Sequence, residues 1–220
     1  MRSMLTAVLV LALVGCTAVL ALVGCTNTPP VMMGTDAGPV PGTDAPIDPC
    51  AAPTPPVTAP YGTAAGRSFR PFTLEACDGS GPYSFYGDNQ WCEPGHRLTL
   101  VSIAAVWCVP CQTESAQLTD VITEPFRDRG VRVIQVIVDG PVRGGGAVIS
   151  DCTGWVSTYG LTNVELFDNG GAVTGVYFPS GSLPSTIIVD EEGIIRFYED
   201  GVSVGLSTLT ATLEALLAEP

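Results

Sequence analysis

Two cysteines two residues apart, Cys108 and Cys111, end an apolar run, Leu98-Thr99-Leu100-Val101-Ser102-Ile103-Ala104-Ala105-Val106-Trp107-Cys108-Val109-Pro110-Cys111. The run reads as a buried strand that delivers both sulfurs to the start of a helix. A thiol there faces unpaired backbone N–H groups and the positive end of the helix dipole, so its nucleophilic thiolate form is favoured. The spacing lets the sulfurs close a small disulfide without unfolding the helix, which suits dithiol–disulfide exchange. Zinc would need four ligands, but there is one Cys-x-x-Cys, a single histidine, His96, and no second close pair, so no metal is expected. A purely structural bridge would explain neither the tryptophan before the first sulfur nor the proline-led strand downstream.

The elements that must position this pair alternate between strand and helix signals. Leu118, Val121, Ile122 and Phe126 recur at helical spacing after Cys111, and Pro125 should kink or end that helix. Residues 131–138 form a β-branched, buried strand. Pro141 and Gly144-Gly145-Gly146 read as a flexible linking loop, since no phosphate-binding lysine follows. Ser150 or Asp151 can cap a helix that carries Cys152, Trp155, Val156 and Tyr159 and ends at Gly160. Residues 164–167 make a minor strand, and strands 186–189 and 194–198 form a hairpin over Asp190-Glu191-Glu192-Gly193. Leu206, Leu209, Leu213, Leu216 and Leu217 supply one face of a closing helix. Upstream, residues 72–76 alternate like an edge strand, and 77–82 are turn material.

Trp107-Cys108-Val109-Pro110-Cys111 with Glu114, followed by Leu183-Pro184-Ser185-Thr186-Ile187-Ile188-Val189-Asp190, Gly193 and Ile194-Ile195-Arg196, resembles the thioredoxin-fold thiol–disulfide oxidoreductases. The acidic residue after Cys-x-x-Cys resembles the membrane-anchored, extracytoplasmic TlpA/ResA-like branch. The resemblance spans about residues 68–218. It implies an α/β thioredoxin-like sandwich, a central mixed sheet flanked by helices, with an N-terminal strand or hairpin added. It further implies that Cys108 is the exposed attacking thiolate, Cys111 the deeper resolving thiol, and Trp107 a neighbour packed beside the sulfurs. Glu114 would act as acid/base or pKa tuner. Pro184, if cis, would place the Leu183 backbone where it can bond an extended substrate as an added strand.

Val109 and Pro110 add no cation near Cys108, which tilts the expectation towards a reductant rather than an oxidase. Two positions depart from the resembled pattern. Ser102 stands where thioredoxins have a buried aspartate, and Ala116 replaces a proline usual in the branch. The implied partners are protein thiols and disulfides and an upstream membrane or periplasmic electron donor, with no cofactor.

Composition bounds the setting. Acids outnumber bases 22 to 9 and lysine is missing entirely, so the surface repels nucleic acid and anionic lipid headgroups. Eight cysteines suit an exported protein in an oxidising compartment. Residues 1–25 carry Arg2, an apolar stretch from Met4 to Gly24 and two lipobox-like tetrads ending at Cys16 and Cys25, resembling a lipoprotein signal. Met4–Gly24 would span about 31 Å as a helix, so lipidation is expected at Cys25, and an uncleaved anchor is the alternative. Residues 26–67, where 10 of the 19 prolines fall, read as a semi-extended tether before a domain at 68–220. The whole then describes a membrane-anchored, periplasmic or cell-surface protein.

Four further cysteines, Cys50, Cys77, Cys92 and Cys152, allow three pairings into structural disulfides. Proximity favours Cys77–Cys92 across a turn-rich insertion, a loop worth about 3 kcal/mol in the chain-entropy model, which leaves Cys50–Cys152. Three competing functions remain. A peroxiredoxin-like peroxidase would want Pro-x-x-x-Thr-x-x-Cys around Cys108, which does not occur. A Sco-like copper carrier would want Cys-x-x-x-Cys and a downstream histidine, whereas His96 lies upstream. A non-catalytic envelope lipoprotein would not need both cysteines and Pro184.

Overall fold

Strand β3 (Leu98–Ala105) is buried at every position, as is nearly all of β4 (Val131–Asp139), so both lie inside a sheet covered on its two faces. The computed structural model describes residues 59–87, 91–201 and 203–220, which contain β1 (Thr73–Ala76), β2 (Pro82–Ser84), β5 (Val164–Phe167), β6 (Ser185–Asp190) and β7 (Ile195–Asp200) as well. The signal segment, most of the tether, Cys16, Cys25 and Cys50 lie outside the described residues. The strands form one mixed sheet in the order β2-β1-β5-β4-β3-β6-β7. Parallel pairing joins β3 to β4 and β4 to β5; the remaining neighbours are antiparallel. With its flanking helices this is a thioredoxin-like α/β fold, and the β1–β2 hairpin is the N-terminal addition. The alternating segment expected at the sheet edge is one strand in, because β2 caps it.

The helix that opens after Cys108 runs as α1 (Val109–Leu118), one π-helical turn (Thr119–Thr123) and α2 (Glu124–Arg127). The π turn has a local cause. Pro125 has no N–H for the Val121 carbonyl and its ring crowds that carbonyl. The backbone widens just before it, and the Glu124 N–H reaches Thr119 O instead of the residue four back. Leu118, Ile122 and Phe126 stay buried through the change of pitch.

Helix α3 (Ile149–Tyr159) is capped two to three residues before the expected positions: Val148 is the N-cap, and Asp151 accepts its backbone N–H at 3.0 Å. Gly160, at φ 62°, ends α3 in the left-handed conformation that a residue with a Cβ disfavours. Helix α4 (Leu206–Leu217) buries Leu209 and Leu213 as its spacing requires. The domain also takes in residues assigned to the tether by composition. Gly62 N–H bonds Ser68 O at 3.1 Å and Gly66 N–H bonds Ile195 O at 2.7 Å.

The disulfide pairing expected from proximity is wrong. Cys77 is bonded to Cys152, with Cα atoms 5.5 Å apart, which excludes both Cys77–Cys92 and Cys50–Cys152. Tertiary contact decides it: the Cys77 N–H bonds Glu165 O at 2.9 Å, so the end of β1 lies on β5, against which α3 brings Cys152. Cys92 is disulfide-bonded too, and its partner is none of the four other described cysteines.

Candidate active site

Cys108 is the N-cap of α1 and is joined to Cys111 by a disulfide, Cα atoms 5.2 Å apart. Its Sγ accepts the Cys111 N–H at 3.3 Å, the helix-terminal donor expected to favour negative charge on that sulfur. Pro110 sits in the first turn, where its missing N–H costs nothing. The resemblance implied an exposed Cys108; in the disulfide form it is 2% exposed and Cys111 1%. What meets solvent is the dipeptide between them, with Val109 66% exposed. The Gln112 side-chain amide donates to Val106 O at 2.7 Å and holds the turn that enters the helix.

Register places the surroundings. In the β3–β4 ladder Ala105 stands opposite Asp139 after an irregularity between Ala104 and Ala105. Asp139, at the end of β4, accepts the Trp107 indole N–H at 3.1 Å, the Gly144 N–H at 2.8 Å and the Gly146 N–H at 2.9 Å. The glycine loop expected to be a mere linker is therefore folded around one carboxylate. It carries Arg143, whose guanidinium carbon lies 4.9 Å from the centroid of the Trp107 ring and whose Nη2 donates to Gly181 O at 2.8 Å. That contact spans from the β4–α3 loop to the segment leading into Leu183 and Pro184. The Leu183–Pro184 bond is cis. Because β6 begins at Ser185 opposite Ile103, both residues stand at the end of the sheet where β3 delivers the sulfurs.

Glu114 is not a solvated surface residue. It is 7% exposed, on the buried face that α1 shares among Cys111, Glu114, Ser115 and Leu118. Burial raises its carboxyl above the ordinary glutamate range, and a hydrogen bond from the Ser203 hydroxyl to Oε1 opposes that shift. Ser102, where the resembled family has an aspartate, belongs to a neutral buried network. Gln135 Nε2 donates to Ser115 Oγ at 3.0 Å and to Ser102 Oγ at 3.4 Å, and Trp155 Nε1 donates to Gln135 Oε1 at 2.8 Å. This network lies under the helix one turn past Cys111. Its sequence signal was Gln135 itself, a polar residue set between the apolar pairs Val133-Ile134 and Val136-Ile137. Asp139 was signalled by an acid at a strand end ahead of four glycines, whereas nothing local marked Arg143 or Ser203.

His96 stands elsewhere. Its Nε2 pairs with Thr99 Oγ1 at 2.8 Å and its ring meets Trp91, at the opposite end of β3 from the sulfurs. Burial lowers its pKa to about 4.

Fold and site together define a thioredoxin-like α/β protein that carries a Cys-x-x-Cys disulfide at the start of a helix. The AhpC/TSA family model matches residues 66–198, and the chain belongs to that family. Among curated proteins none matches the sequence significantly. Similar solved structures include the thioredoxin domain of a thiol-disulfide oxidoreductase from Bacteroides vulgatus, 20% identical with TM-score 0.53, covering 70% of this chain and 98% of that one. A Chlorobium tepidum chain described as a thiol:disulfide interchange protein DsbE is 17% identical with TM-score 0.56, covering 70% and 99%. A Bacteroides thetaiotaomicron chain described as a protein disulfide isomerase is 17% identical with TM-score 0.58, covering 74% and 96%.

Proposed function

We propose that the protein is a membrane-tethered, extracytoplasmic thiol–disulfide oxidoreductase that reduces protein disulfides. The observation that carries this reading is the Cys108–Cys111 disulfide at the N-terminus of α1 with the buried Glu114 carboxyl on the same helix. In the reduced enzyme the Cys108 thiolate attacks one sulfur of a substrate disulfide; the other leaves as a thiolate and takes a proton. Glu114 receives the proton of Cys111, whose sulfur attacks Cys108 and displaces the second substrate thiolate. Two electrons pass to the substrate, and an upstream dithiol donor restores the enzyme. Leu183 and Pro184 line the place where an extended substrate backbone docks, beside Trp107, Val109 and Pro110.

Export is supported by the buried Cys77–Cys152 bridge and the disulfide at Cys92, since cytosolic thiols are kept reduced. Lipid attachment at Cys25 is part of the same proposal. No described helix is long and apolar enough to cross a membrane. The family also makes a peroxidase reading worth a direct test, but Val101 and Ala105 stand where that reaction's proline and threonine would precede Cys108.

The deciding experiment replaces Cys111 by serine in cells. Lasting mixed disulfides on Cys108 are expected, and the wild-type pair should be largely reduced when trapped by alkylation. Capture by Cys108→Ser alone would reverse the two roles. A pair found mostly oxidised would assign oxidase duty instead, and peroxide consumption at a rate matching disulfide reduction would favour the peroxidase.

A further inference from the structure

Arg143 is a cation that the fold holds beside the disulfide without giving it a carboxylate. Acids outnumber bases 22 to 9, so partners are not scarce. Arg127, Arg129, Arg132 and Arg196 are each in an ion pair, and Arg97 donates to the Leu217 and Glu219 carbonyls. Arg143 is exposed and makes no ion pair among the described residues. Its Nη2 donates instead to the neutral Gly181 carbonyl.

Three contacts fix its place. Asp139 binds the Gly144 and Gly146 amides and so shapes the loop that carries Arg143. The guanidinium carbon stands 4.9 Å from the centroid of the Trp107 ring, a cation–π contact with the residue before the first sulfur. On the other side, Gly181 belongs to the segment that leads into Leu183 and the cis-bonded Pro184. The guanidinium therefore joins the two walls of the place where a substrate strand docks, with N–H donors to spare. The carboxylates that hold those walls are occupied by other donors: Asp139 by Trp107 and the two glycine amides, Asp200 by the Ser180 N–H and hydroxyl.

A strand that docks at Leu183 and Pro184 covers Trp107 and, with it, Arg143. The surface there is apolar. Val109 and Val142, the two most exposed large hydrophobics among the described residues, directly follow Cys108 and directly precede Arg143. Covering a guanidinium with apolar groups costs free energy unless an anion meets it, and a planar fork with free donors fits a carboxylate. We propose that Arg143 is a specificity-determining residue that selects protein disulfides with a glutamate or aspartate close to the attacked cysteine. Close here means within about two residues, a reach of about 7 Å along an extended chain. The inference rests on the oxidoreductase reading and names the substrate class of that same site.

The test uses the full chain with Cys111→Ser, reduced, and short peptides whose single cysteine forms a mixed disulfide with 2-thiopyridine. The Cys108 thiolate bonds to the peptide sulfur, the peptide–pyridyl S–S bond breaks, and pyridine-2-thione leaves with the electron pair, so its absorbance reads the rate. Peptides differ in one residue, glutamate, glutamine or lysine, placed up to about two positions from the cysteine on either side. Each rate is divided by that of the same peptide with dithiothreitol, which removes intrinsic reactivity. At the position facing Arg143 the glutamate peptide should react about fivefold faster than the glutamine peptide, the upper range for an exposed ion pair. Lysine should be slowest. Salt at about 1 M, where the Debye length is about 3 Å, should erase the preference, and this is read without any change at Arg143. Arg143→Gln should also erase it, and Arg143→Glu should reverse it in favour of lysine. A role confined to shaping the loop would slow all peptides alike and give no reversal. Equal glutamate and glutamine rates at every position, or a glutamate preference that survives in Arg143→Glu, overturns the proposal and leaves the oxidoreductase reading standing. No reaction with any peptide sinks both.

Discussion

The indole N–H of Trp107 donates to Asp139 Oδ2 across 3.1 Å, tying the residue before the first sulfur to the last residue of the neighbouring strand. The same carboxylate gathers the Gly144 and Gly146 amides, so one side chain fixes both the tryptophan and the loop bearing Arg143. All three partners of Asp139 are donors. In Asp139→Asn one carboxylate oxygen becomes an NH₂ group that must face at least one of them. The variant should lose about 2 kcal/mol of stability, the usual cost of breaking charge-assisted bonds in a buried place, read by denaturant titration with Trp107 fluorescence as one probe. Stability within error of the wild type would show that the loop is held by other means.

Glu114→Gln keeps the shape and the Ser203 contact but removes the base. Resolution of a preformed mixed disulfide on Cys108 should slow by about 10²-fold, the lower end of what positioned proton transfer contributes. Burial raises the Glu114 pKa and the Ser203 hydroxyl lowers it, so Ser203→Ala should move the rising limb of the pH–rate profile to higher pH. Stopped-flow measurement across the neutral range reads both effects. An unchanged rate in Glu114→Gln would take the carboxylate out of the reaction.

The Cys77–Cys152 bridge closes a loop of sequence separation 75. In the chain-entropy model this corresponds to about 4.5 kcal/mol, more than the short loop first expected would have contributed. Replacing both cysteines by serine should lower Tm by several degrees and leave reduction potential at Cys108–Cys111 unaltered. Peptide mapping without reduction should return a Cys77–Cys152 fragment; a Cys77–Cys92 fragment would contradict the fold.

Glu165 gives stability a pH dependence of known sign. Its folded pKa is raised by burial, so the folded state holds a proton that the unfolded chain releases near the ordinary glutamate value. The contribution is neutral below that value and becomes increasingly unfavourable as pH rises towards the folded pKa. Glu165→Gln should match the wild type near pH 4 and exceed it in Tm at pH 8. A gain of equal size at both pH values would mean that packing, not ionisation, separates the two proteins.

What the sequence discloses about this fold divides by range. The run from Leu98 to Cys111 is legible because strand burial, the helix start and the cysteine spacing are all local. The hairpin of β6 and β7 and the leucine face of α4 are legible for the same reason. Contacts across the sheet are not. Pairing Cys77 with Cys92 trusted a separation of 15 residues, whereas the β1–β5 register put Cys77 beside Glu165 and α3. The burial of Glu114 is not legible locally, since the hydroxyl that reaches its carboxyl belongs to Ser203, in the segment before α4. The loop after β4 looked unstructured because glycine composition says nothing about an acceptor waiting at Asp139.

The connectivity of Cys77 also carries a meaning in time. A chain emerges N-terminus first, so Cys77 meets Cys92, Cys108 and Cys111 before Cys152 has been made, and none of those earlier thiols is its native partner. Oxidation that keeps pace with emergence would commit Cys77 to the wrong sulfur, and β1 cannot rest on β5 until residues 164–167 exist. The native link therefore forms after the helix and strand on which it rests, or is reached by exchange from an earlier, shorter loop.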